Sequence, residues 1–326
     1  MTIPITILTG FLGSGKTTLL NELVKRPELK DAAVLINEFG DVGLDHLLVN
    51  ELDEEVILLE SGCVCCSVRD DFAQTLLELY QKRKEGIVPP FNHVILETTG
   101  IADPSSLHQL IVSDKDTLRF YHYHKTLTVV DAIFGLDTLK TYGEAVHQVS
   151  IADLLIISKC DLAENHLANQ LSDELTNLNP IARIVRNRND DESLSDILRE
   201  VFDDHHKSIQ RETKVSSPSD IHHGNRFTTY TLTWEEPVKW EDFQLWLEGL
   251  LIVRGDSILR LKGWLYKDGD PLPVVIQGVQ HSFYPPTHLE SWPNGRKETE
   301  LVFITCDFNK TAAQQSISDM IDLTPA

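Results

Sequence analysis

Gly10-Phe11-Leu12-Gly13-Ser14-Gly15-Lys16-Thr17 follows the apolar run Ile5–Leu8 and precedes a helix-forming segment, residues 18–23. This order of strand, glycine-rich loop and helix is the context in which such a sequence binds phosphate. Glycines let the backbone N–H groups turn inward, and the positive N-terminus of the next helix attracts oxyanions. Lys16 is then expected to reach the β- and γ-phosphates and the Thr17 hydroxyl to ligate Mg²⁺. The sequence therefore predicts a P-loop NTPase.

Further apolar runs follow at intervals that leave room for a helix between them. They are Ala32–Ile36, Val56–Leu59, Val94–Leu96, Leu127–Val130, Leu154–Ile157 and Ala182–Val185. Residues 68–84 carry apolar side chains at helical spacing. Alternation of buried strands and helices predicts an α/β domain with a mostly parallel sheet flanked by helices.

A change of pattern after residue 204 indicates a second domain. Residues 205–225 are polar and without periodicity, as in a linker. Beyond them, residues 226–234 alternate like a strand, residues 240–251 suggest a helix, and strands are predicted around 258–266, 274–283 and 301–305. We therefore predict a P-loop domain over 1–204, a linker over 205–225 and a smaller α+β domain over 226–326, with antiparallel pairing.

The overall charge limits the classes of partner. The chain has 326 residues, with 29 basic and 50 acidic side chains and a formal charge of −21. Such a surface repels nucleic acid and anionic lipid, so neither is expected as a partner. No run of eighteen apolar residues occurs, and the chain begins without the pattern of a signal sequence. The expected location is the cytoplasm.

Three of the five cysteines, Cys63, Cys65 and Cys66, lie within four positions. Neighbouring cysteines rarely pair without strain, so a reduced compartment is favoured over a disulfide framework. Three thiolates can hold a tetrahedral Zn²⁺ and leave one position open to another ligand. The alternative, buried free thiols, accounts well for Cys160 and Cys306.

Polar residues directly after predicted strands are the other candidate site residues. Glu97 follows Val94–Leu96, where a carboxylate can hold Mg²⁺ or orient water. Ser158-Lys159-Cys160-Asp161 follows Leu154–Ile157. An Asp161 carboxylate can accept hydrogen bonds from N1–H and the 2-amino group of guanine, and the Lys159 stem can lie along the purine. Residues 37–45 are either a loop facing the nucleotide or an ordinary acidic loop.

With these motifs assembled, the chain resembles the CobW-type GTPases, relatives of the nickel-insertion GTPases for urease and hydrogenase. The resemblance is carried by Gly10–Thr18, Asn37–Gly40, Gly62–Cys66, Glu97–Pro104 and Ser158–Asp161. Residues 261–264 and 300–304 resemble the C-terminal domain of that family, so nearly the whole chain is covered. The Gly-Cys-x-Cys-Cys element is the most specific of these marks.

The resemblance implies slow, Mg²⁺-dependent GTP hydrolysis coupled to delivery of a transition metal to a client metalloprotein. The implied ligands are GTP or GDP, Mg²⁺, and Zn²⁺ or alternatively Co²⁺ or Ni²⁺. The implied state is a monomer or a metal- or nucleotide-dependent dimer. The residues expected at the phosphates are Gly10, Gly13, Ser14, Gly15, Lys16, Thr17 and Thr18. Lys16 and Glu97 are the implied catalytic residues, with Thr17 and Glu97 also at Mg²⁺, Lys159 and Asp161 at guanine, and Cys63, Cys65 and Cys66 at the transition metal.

Two other functions remain open from the residues alone. The first is a P-loop kinase for a small molecule, in which the cysteines are incidental. The second is a non-catalytic metal-storage or metal-sensing protein that binds nucleotide for stability. Asp161→Asn separates the first from a GTPase, because only a guanine site depends on that carboxylate.

Overall fold

The computed structural model describes residues 2–37, 57–61, 68–202, 221–223, 226–321 and 323. The chain divides into two compact units, residues 1–173 with 182–202 and residues 174–181 with 203–326. Residues 174–181, which the sequence analysis assigns to the P-loop domain, therefore group with the second unit.

The first unit alternates strands and helices in chain order. Its elements are β1 (Ile3–Thr9), α1 (Lys16–Leu23), β2 (Ala32–Asn37), β3 (Ile57–Ser61), α2 (Val68–Lys84), β4 (His93–Glu97), α3 (Ser105–Ser113), β5 (Tyr121–Asp131), α4 (Gly135–Thr141), α5 (Gly143–Ser150), β6 (Leu154–Ser158), α6 (Asn165–Leu178), β7 (Arg183–Arg186) and α7 (Asp191–Phe202). The last residues of α6 belong to the second unit. Short 3₁₀ turns occur at Pro27–Leu29 and Thr117–Arg119.

Within the described residues, seven strands of this unit form one sheet in the order β3-β2-β4-β1-β5-β6-β7. Every pairing is parallel. Because parallel strands need crossover connections, the intervening helices can cover the two faces. Leu19, Leu20 and Leu23 of α1 pack with α7 on one face, and α2 and α3 pack on the other. The predicted α/β fold is confirmed.

The second unit is built on an antiparallel sheet. Its elements are β8 (Ile221–His223), β9 (Phe227–Trp234), α8 (Trp240–Arg254), β10 (Ile258–Leu265), β11 (Val274–Val279), β12 (Ser282–Phe283), β13 (Thr287–His288), β14 (Thr299–Cys306) and α9 (Lys310–Ser318), with 3₁₀ turns at Gly255–Ser257 and Pro293–Gly295. Its sheet has the order β12-β11-β10-β14-β9-β8, with β13 paired to β11. One core contains Phe243 and Trp246 from α8 together with Tyr230, Leu261 and Phe303 from the sheet.

One segment differs from the sequence-based expectation. Ile221–His223 falls in the predicted linker but forms β8, which pairs antiparallel with β9 from Ile221↔Thr229 to His223↔Phe227. Three residues are too short a run to show the alternation that identifies a strand, so the pairing with β9 decides their conformation. Among the described residues, no helix is both long and apolar enough to cross a membrane.

Candidate nucleotide-binding site

The glycine-rich loop joins the end of β1 to α1 in the middle of the parallel sheet. Gly10, Gly13 and Gly15 have φ angles of 143°, 70° and 93°, a region that residues with a Cβ rarely adopt. A Cβ on Gly10 would also lie 2.3 Å from the Val129 carbonyl oxygen. The loop is therefore seated directly on the backbone of β5, and only glycine fits at position 10.

Lys16, the first residue of α1, turns its ammonium group back over this loop. Its Nζ donates to the carbonyl oxygens of Gly10 at 2.9 Å and Phe11 at 3.3 Å, and the side chain is buried. The positive charge thus lies against the loop whose backbone curvature suits an oxyanion. Thr18, the other residue predicted at the phosphates, is exposed on α1.

Thr17 and Glu97 are brought together from α1 and the end of β4. The Thr17 hydroxyl donates to Glu97 Oε1 at 2.7 Å, and only 4% of Glu97 is exposed. The register of β4 is held by Thr98, whose N–H donates to the Leu8 carbonyl at 2.9 Å and whose hydroxyl donates to Thr9 Oγ1 at 2.8 Å. A hydroxyl beside a carboxylate is a hard oxygen donor set of the kind that Mg²⁺ prefers. These two residues therefore fit a magnesium ion.

The turn after β4 lies against the P-loop. A Cβ on Gly100 would be 2.6 Å from the backbone nitrogen of Leu12. The amide of Gln148 on α5 donates to the carbonyls of Gly100 at 3.2 Å and Ala102 at 3.0 Å. This turn is thus held between α5 and the P-loop.

The predicted base-reading segment, Ser158–Asp161, is bonded to the P-loop at two points. Ser158 Oγ donates to the Ser14 carbonyl at 2.6 Å, and Lys159 Nζ donates to the Gly13 carbonyl at 2.7 Å. Lys159 has a φ of 57°, and the N–H groups of Leu162 and Ala163 both donate to its carbonyl at 3.1 Å. The turn closed in this way leaves Asp161 exposed.

Two contacts of this site were not predicted. Ser158 was expected only as part of the base-reading segment, and its hydroxyl supplies a bond to the P-loop. Asp131, at the end of β5, accepts a hydrogen bond from Lys159 Nζ at 2.6 Å. The signal that could have found Asp131 is its position, because it follows a strand just as Glu97 does.

A cavity of about 330 Å³ adjoins the loop. It lies between the outer side of the P-loop, the end of β5 and helices α4 and α5. Phe11 and Phe134 are among its apolar lining residues, and Asp131 and Lys159 also line it. The ring of Phe11 stacks on Tyr142 with centroids 4.6 Å apart.

The predicted transition-metal ligands, Cys63, Cys65 and Cys66, lie outside the described residues, as does the loop at 38–45. Within the part of the chain that the structure describes, no group of three or more His, Cys, Asp or Glu side chains is arranged to hold a metal. Cys160 and Cys306 are half-buried free thiols, as the sequence suggested, and burial raises the pKa of both.

The site combines a glycine loop of this geometry at the centre of a parallel sheet with a lysine over the loop and a carboxylate at the end of the neighbouring strand. These features define a P-loop nucleotide-binding protein. The family model for the nucleotide-binding domain of CobW/HypB/UreG proteins matches residues 4–186. The model for the cobalamin synthesis protein cobW C-terminal domain matches residues 227–321. The chain belongs to the CobW/HypB/UreG family.

Individual relatives match along nearly the whole chain. The zinc chaperone YjiA of Escherichia coli (strain K12) is 29% identical over 306 residues, 93% of each chain. The zinc chaperone CobW of Sinorhizobium sp is 26% identical over 358 residues, 98% of this chain and 97% of that protein. The crystal structure of Zn(II)-bound YjiA GTPase from E. coli has a TM-score of 0.73 at 25% identity, and covers 98% of this chain and 99% of that chain. The predicted family resemblance is confirmed.

Proposed function

We propose that this protein binds and hydrolyses GTP with Mg²⁺, and that the nucleotide cycle controls binding of zinc and its delivery to a client metalloprotein. The observation that carries the proposal is the locking of the Ser158–Asp161 segment onto the P-loop, through Ser158 Oγ to Ser14 at 2.6 Å and Lys159 Nζ to Gly13 at 2.7 Å. A guanine nucleotide site needs a phosphate-binding loop and a purine-reading turn that are fixed to each other.

Selection of guanine is assigned to Asp161. Its exposed carboxylate can accept two hydrogen bonds from the N1–H and 2-amino edge, and adenine offers no matching pair of donors. The Lys159 stem can cover the purine face while its ammonium keeps its contact with Gly13. Asp161→Asn is therefore expected to reduce the preference for GTP over ATP at least tenfold in competition binding.

Hydrolysis is assigned to the residues around the Thr17–Glu97 pair. Lys16 would bind the β- and γ-phosphates, and Mg²⁺ held by Thr17 and Glu97 would neutralise charge on the phosphate oxygens. Glu97 would also orient the attacking water. We expect Glu97→Gln to lower kcat by about 100-fold and to change GDP affinity far less, measured by phosphate release and by fluorescent GDP titration.

Zinc binding is assigned to Cys63, Cys65 and Cys66, and the zinc chaperones to which the chain is similar support this assignment. Cobalt and nickel are the alternative metals, because thiolates bind all three, and cobalt is titrated beside zinc. If hydrolysis releases the metal, the triphosphate and diphosphate states must differ in zinc affinity, and the coupling must be reciprocal.

The experiment is a competition titration of zinc and cobalt with Mg²⁺ present, on protein that is nucleotide-free, GDP-bound or loaded with a non-hydrolysable GTP analogue. We expect zinc to bind at least fivefold more tightly with the analogue than with GDP. The Cys65→Ser, Cys66→Ser pair should lose zinc and keep GDP, and Cys306→Ser should keep both. Equal zinc affinity in all three states would contradict a nucleotide-controlled carrier, and phosphoryl transfer to a small acceptor would favour a kinase.

A further inference from the structure

Asp131 ends β5 and is buried next to the P-loop, yet none of the sequence motifs includes it. Its Oδ2 lies 2.6 Å from Lys159 Nζ. Its Oδ1 accepts hydrogen bonds from the N–H groups of Ile133 at 2.7 Å and Phe134 at 3.3 Å. One carboxylate therefore caps the turn after β5 and fixes the ammonium group of Lys159, which follows β6.

Lys159 needs such a support for two reasons. Its left-handed φ of 57° is unfavourable for a residue with a Cβ. Its long side chain also loses rotamer freedom when it is fixed against a ligand. Asp131 and the Gly13 carbonyl together hold the ammonium group in one place, so the stem is ordered before a purine arrives.

We propose that Asp131 is a positioning residue for the guanine nucleotide, because it holds the Lys159 ammonium against the Gly13 carbonyl and so pre-orders the lysine stem. The proposal rests on the proposed function. It predicts that Asp131 affects nucleotide affinity only through Lys159.

A double-mutant cycle tests this dependence with GDP as the probe. Asp131→Asn keeps an oxygen for the Ile133 and Phe134 N–H groups but removes the charge, and Lys159→Met keeps the stem but removes the ammonium. We expect Asp131→Asn to weaken GDP binding about tenfold in the wild type and less than twofold in the Lys159→Met background. Asp137→Asn, an exposed carboxylate on α4, is the matched control and should change GDP affinity less than twofold.

The outcomes separate this proposal from the proposed function. If the wild type does not bind GDP, the proposed function fails. If it binds GDP but Asp131→Asn weakens binding equally in both backgrounds, or not at all, Asp131 does not act through Lys159. Urea denaturation of Asp131→Asn measures the cost of losing this ion pair separately, and a merely structural effect would weaken GDP binding equally in both backgrounds.

A second inference comes independently from α8, which is apolar on two opposite sides. Phe243, Trp246 and Leu250 face the core of the second unit. Leu245 and Ile252 are 63% and 78% exposed, and Val253 after them is 73% exposed. At 100° per residue, Leu245, Gly249 and Ile252 lie within about 60° of one another on the outer side. The outermost line of this helix is thus Leu-Gly-Ile, where charged side chains are usual.

Gly249 is a second unusual feature of the outer side of α8. A glycine inside a helix lowers stability relative to alanine, and it is commonly retained where another backbone comes close. A Cβ built on Gly249 meets nothing within 4 Å. The described part of the chain therefore gives no reason for glycine, which leaves a shallow notch between Leu245 and Ile252.

Charge decides what fits this surface. Glu241, Asp242 and Glu248 are exposed beside the apolar line. A second copy would bring together chains that each carry −21. We infer that this face of α8 binds an amphipathic helix of another protein, with its apolar side in the Leu245–Ile252 notch and basic residues along its flanks.

The probe is an 18-residue helical peptide of leucine and lysine with its leucines on one face, titrated against the full chain by fluorescence anisotropy. A peptide with glutamate in place of lysine is the comparison. We expect the lysine peptide to bind more tightly, and Leu245→Glu with Ile252→Glu to weaken that binding at least tenfold. Because this variant gains negative charge, non-specific electrostatic attraction predicts the opposite change.

Two further variants complete the test. Ile87→Glu, at another exposed apolar residue, should change peptide binding less than twofold. Gly249→Ala should raise Tm by a few degrees and weaken peptide binding, since the new methyl group fills the notch. Unchanged binding in Leu245→Glu with Ile252→Glu, or dimerisation of the wild type in sedimentation that this variant abolishes, would overturn the inference.

Discussion

Gly100 illustrates how one hydrogen atom can determine the shape of the site. A methyl group there would lie 2.6 Å from the nitrogen and 2.7 Å from the Cα of Leu12, both backbone atoms of the P-loop. We expect Gly100→Ala to weaken GDP binding at least tenfold and to lower the free energy of unfolding by about 2 kcal/mol. Fluorescent GDP titration and urea denaturation measure the two effects. Gly143→Ala is the control, because its Cβ meets nothing within 4 Å.

His93 makes stability depend on pH at the opposite end of β4. It is buried, its Nε2 lies 2.8 Å from Thr6 Oγ1, and burial, with a smaller contribution from His122, lowers its pKa to about 4. The unfolded chain takes up a proton below about pH 6.5 while the folded chain does not. The contribution of His93 to stability is therefore complete above pH 6.5 and is lost as the pH falls toward 4.

We expect the free energy of unfolding to fall by about 2 kcal/mol between pH 7 and pH 5 from this group. His93→Gln keeps a hydrogen-bonding side chain but does not titrate, so urea titrations at the two pH values should show a smaller difference. A residual slope is expected, because burial also lowers the pKa of His122. An unchanged pH dependence in His93→Gln would show that another group is responsible.

At the scale of elements, β7 and α7 are joined by an ion pair between a partly exposed guanidinium and a buried carboxylate. Arg183 Nε lies 3.1 Å from Glu200 Oε2, and Glu200 is 6% exposed. Lys125 of β5 donates to the Glu200 carbonyl, so the last turn of α7 meets two strands. Breaking this pair leaves Arg183, whose side chain is 33% exposed, without its buried partner, whereas pairs exposed on both sides contribute little.

Because solvent screens the partly exposed Arg183, Glu200→Gln is expected to lower the free energy of unfolding by about 1 to 2 kcal/mol. The matched control on the same helix is Asp196→Asn, whose carboxylate pairs with Arg199 at 3.0 Å on the exposed side. It should cost less than about 0.5 kcal/mol. Equal costs in urea denaturation would mean that the Arg183 pair does not hold the end of α7.

The elements also show what the sequence could predict. Apolar runs located part of every strand of the first sheet, because buried parallel strands are continuously apolar. In β5, which begins at Tyr121, the apolar run covers only the last residues, because the preceding Tyr-His-Tyr-His-Lys segment is mostly polar. The pairing of Asp131 with Lys159 could not be predicted, since it joins residues 28 apart at the ends of neighbouring strands β5 and β6. Local patterns identify elements, whereas contacts across strands depend on register.

At the scale of the molecule, the two units can be followed separately. All five tryptophans lie between residues 234 and 292, in the second unit. Tryptophan fluorescence therefore reports that unit, while circular dichroism at helical wavelengths reports both. A ligand that binds only the folded first unit stabilises it by mass action.

We expect GDP with Mg²⁺, at 100 times its Kd, to stabilise the first unit by about 2.7 kcal/mol. The transition seen by circular dichroism should move to higher temperature, and the tryptophan transition should stay where it is. Lys16→Met, which removes the ammonium group over the P-loop, should abolish the shift. An equal shift of both signals would show that the two units unfold as one.

The central position of β1 also determines when the site can form during synthesis. Ile5 pairs with Val94 on one side and Tyr123 on the other. After β1 has been synthesised, about 90 more residues must be added before β4 is available to pair with it, and about 120 before β5 is. At about 10 residues per second, translation leaves the glycine loop without its supports for about ten seconds. Under the proposed function, nucleotide cannot assist this nascent chain early, because Lys159 and Asp161 emerge later still. The P-loop is the first part of the site to be translated and among the last to be completed.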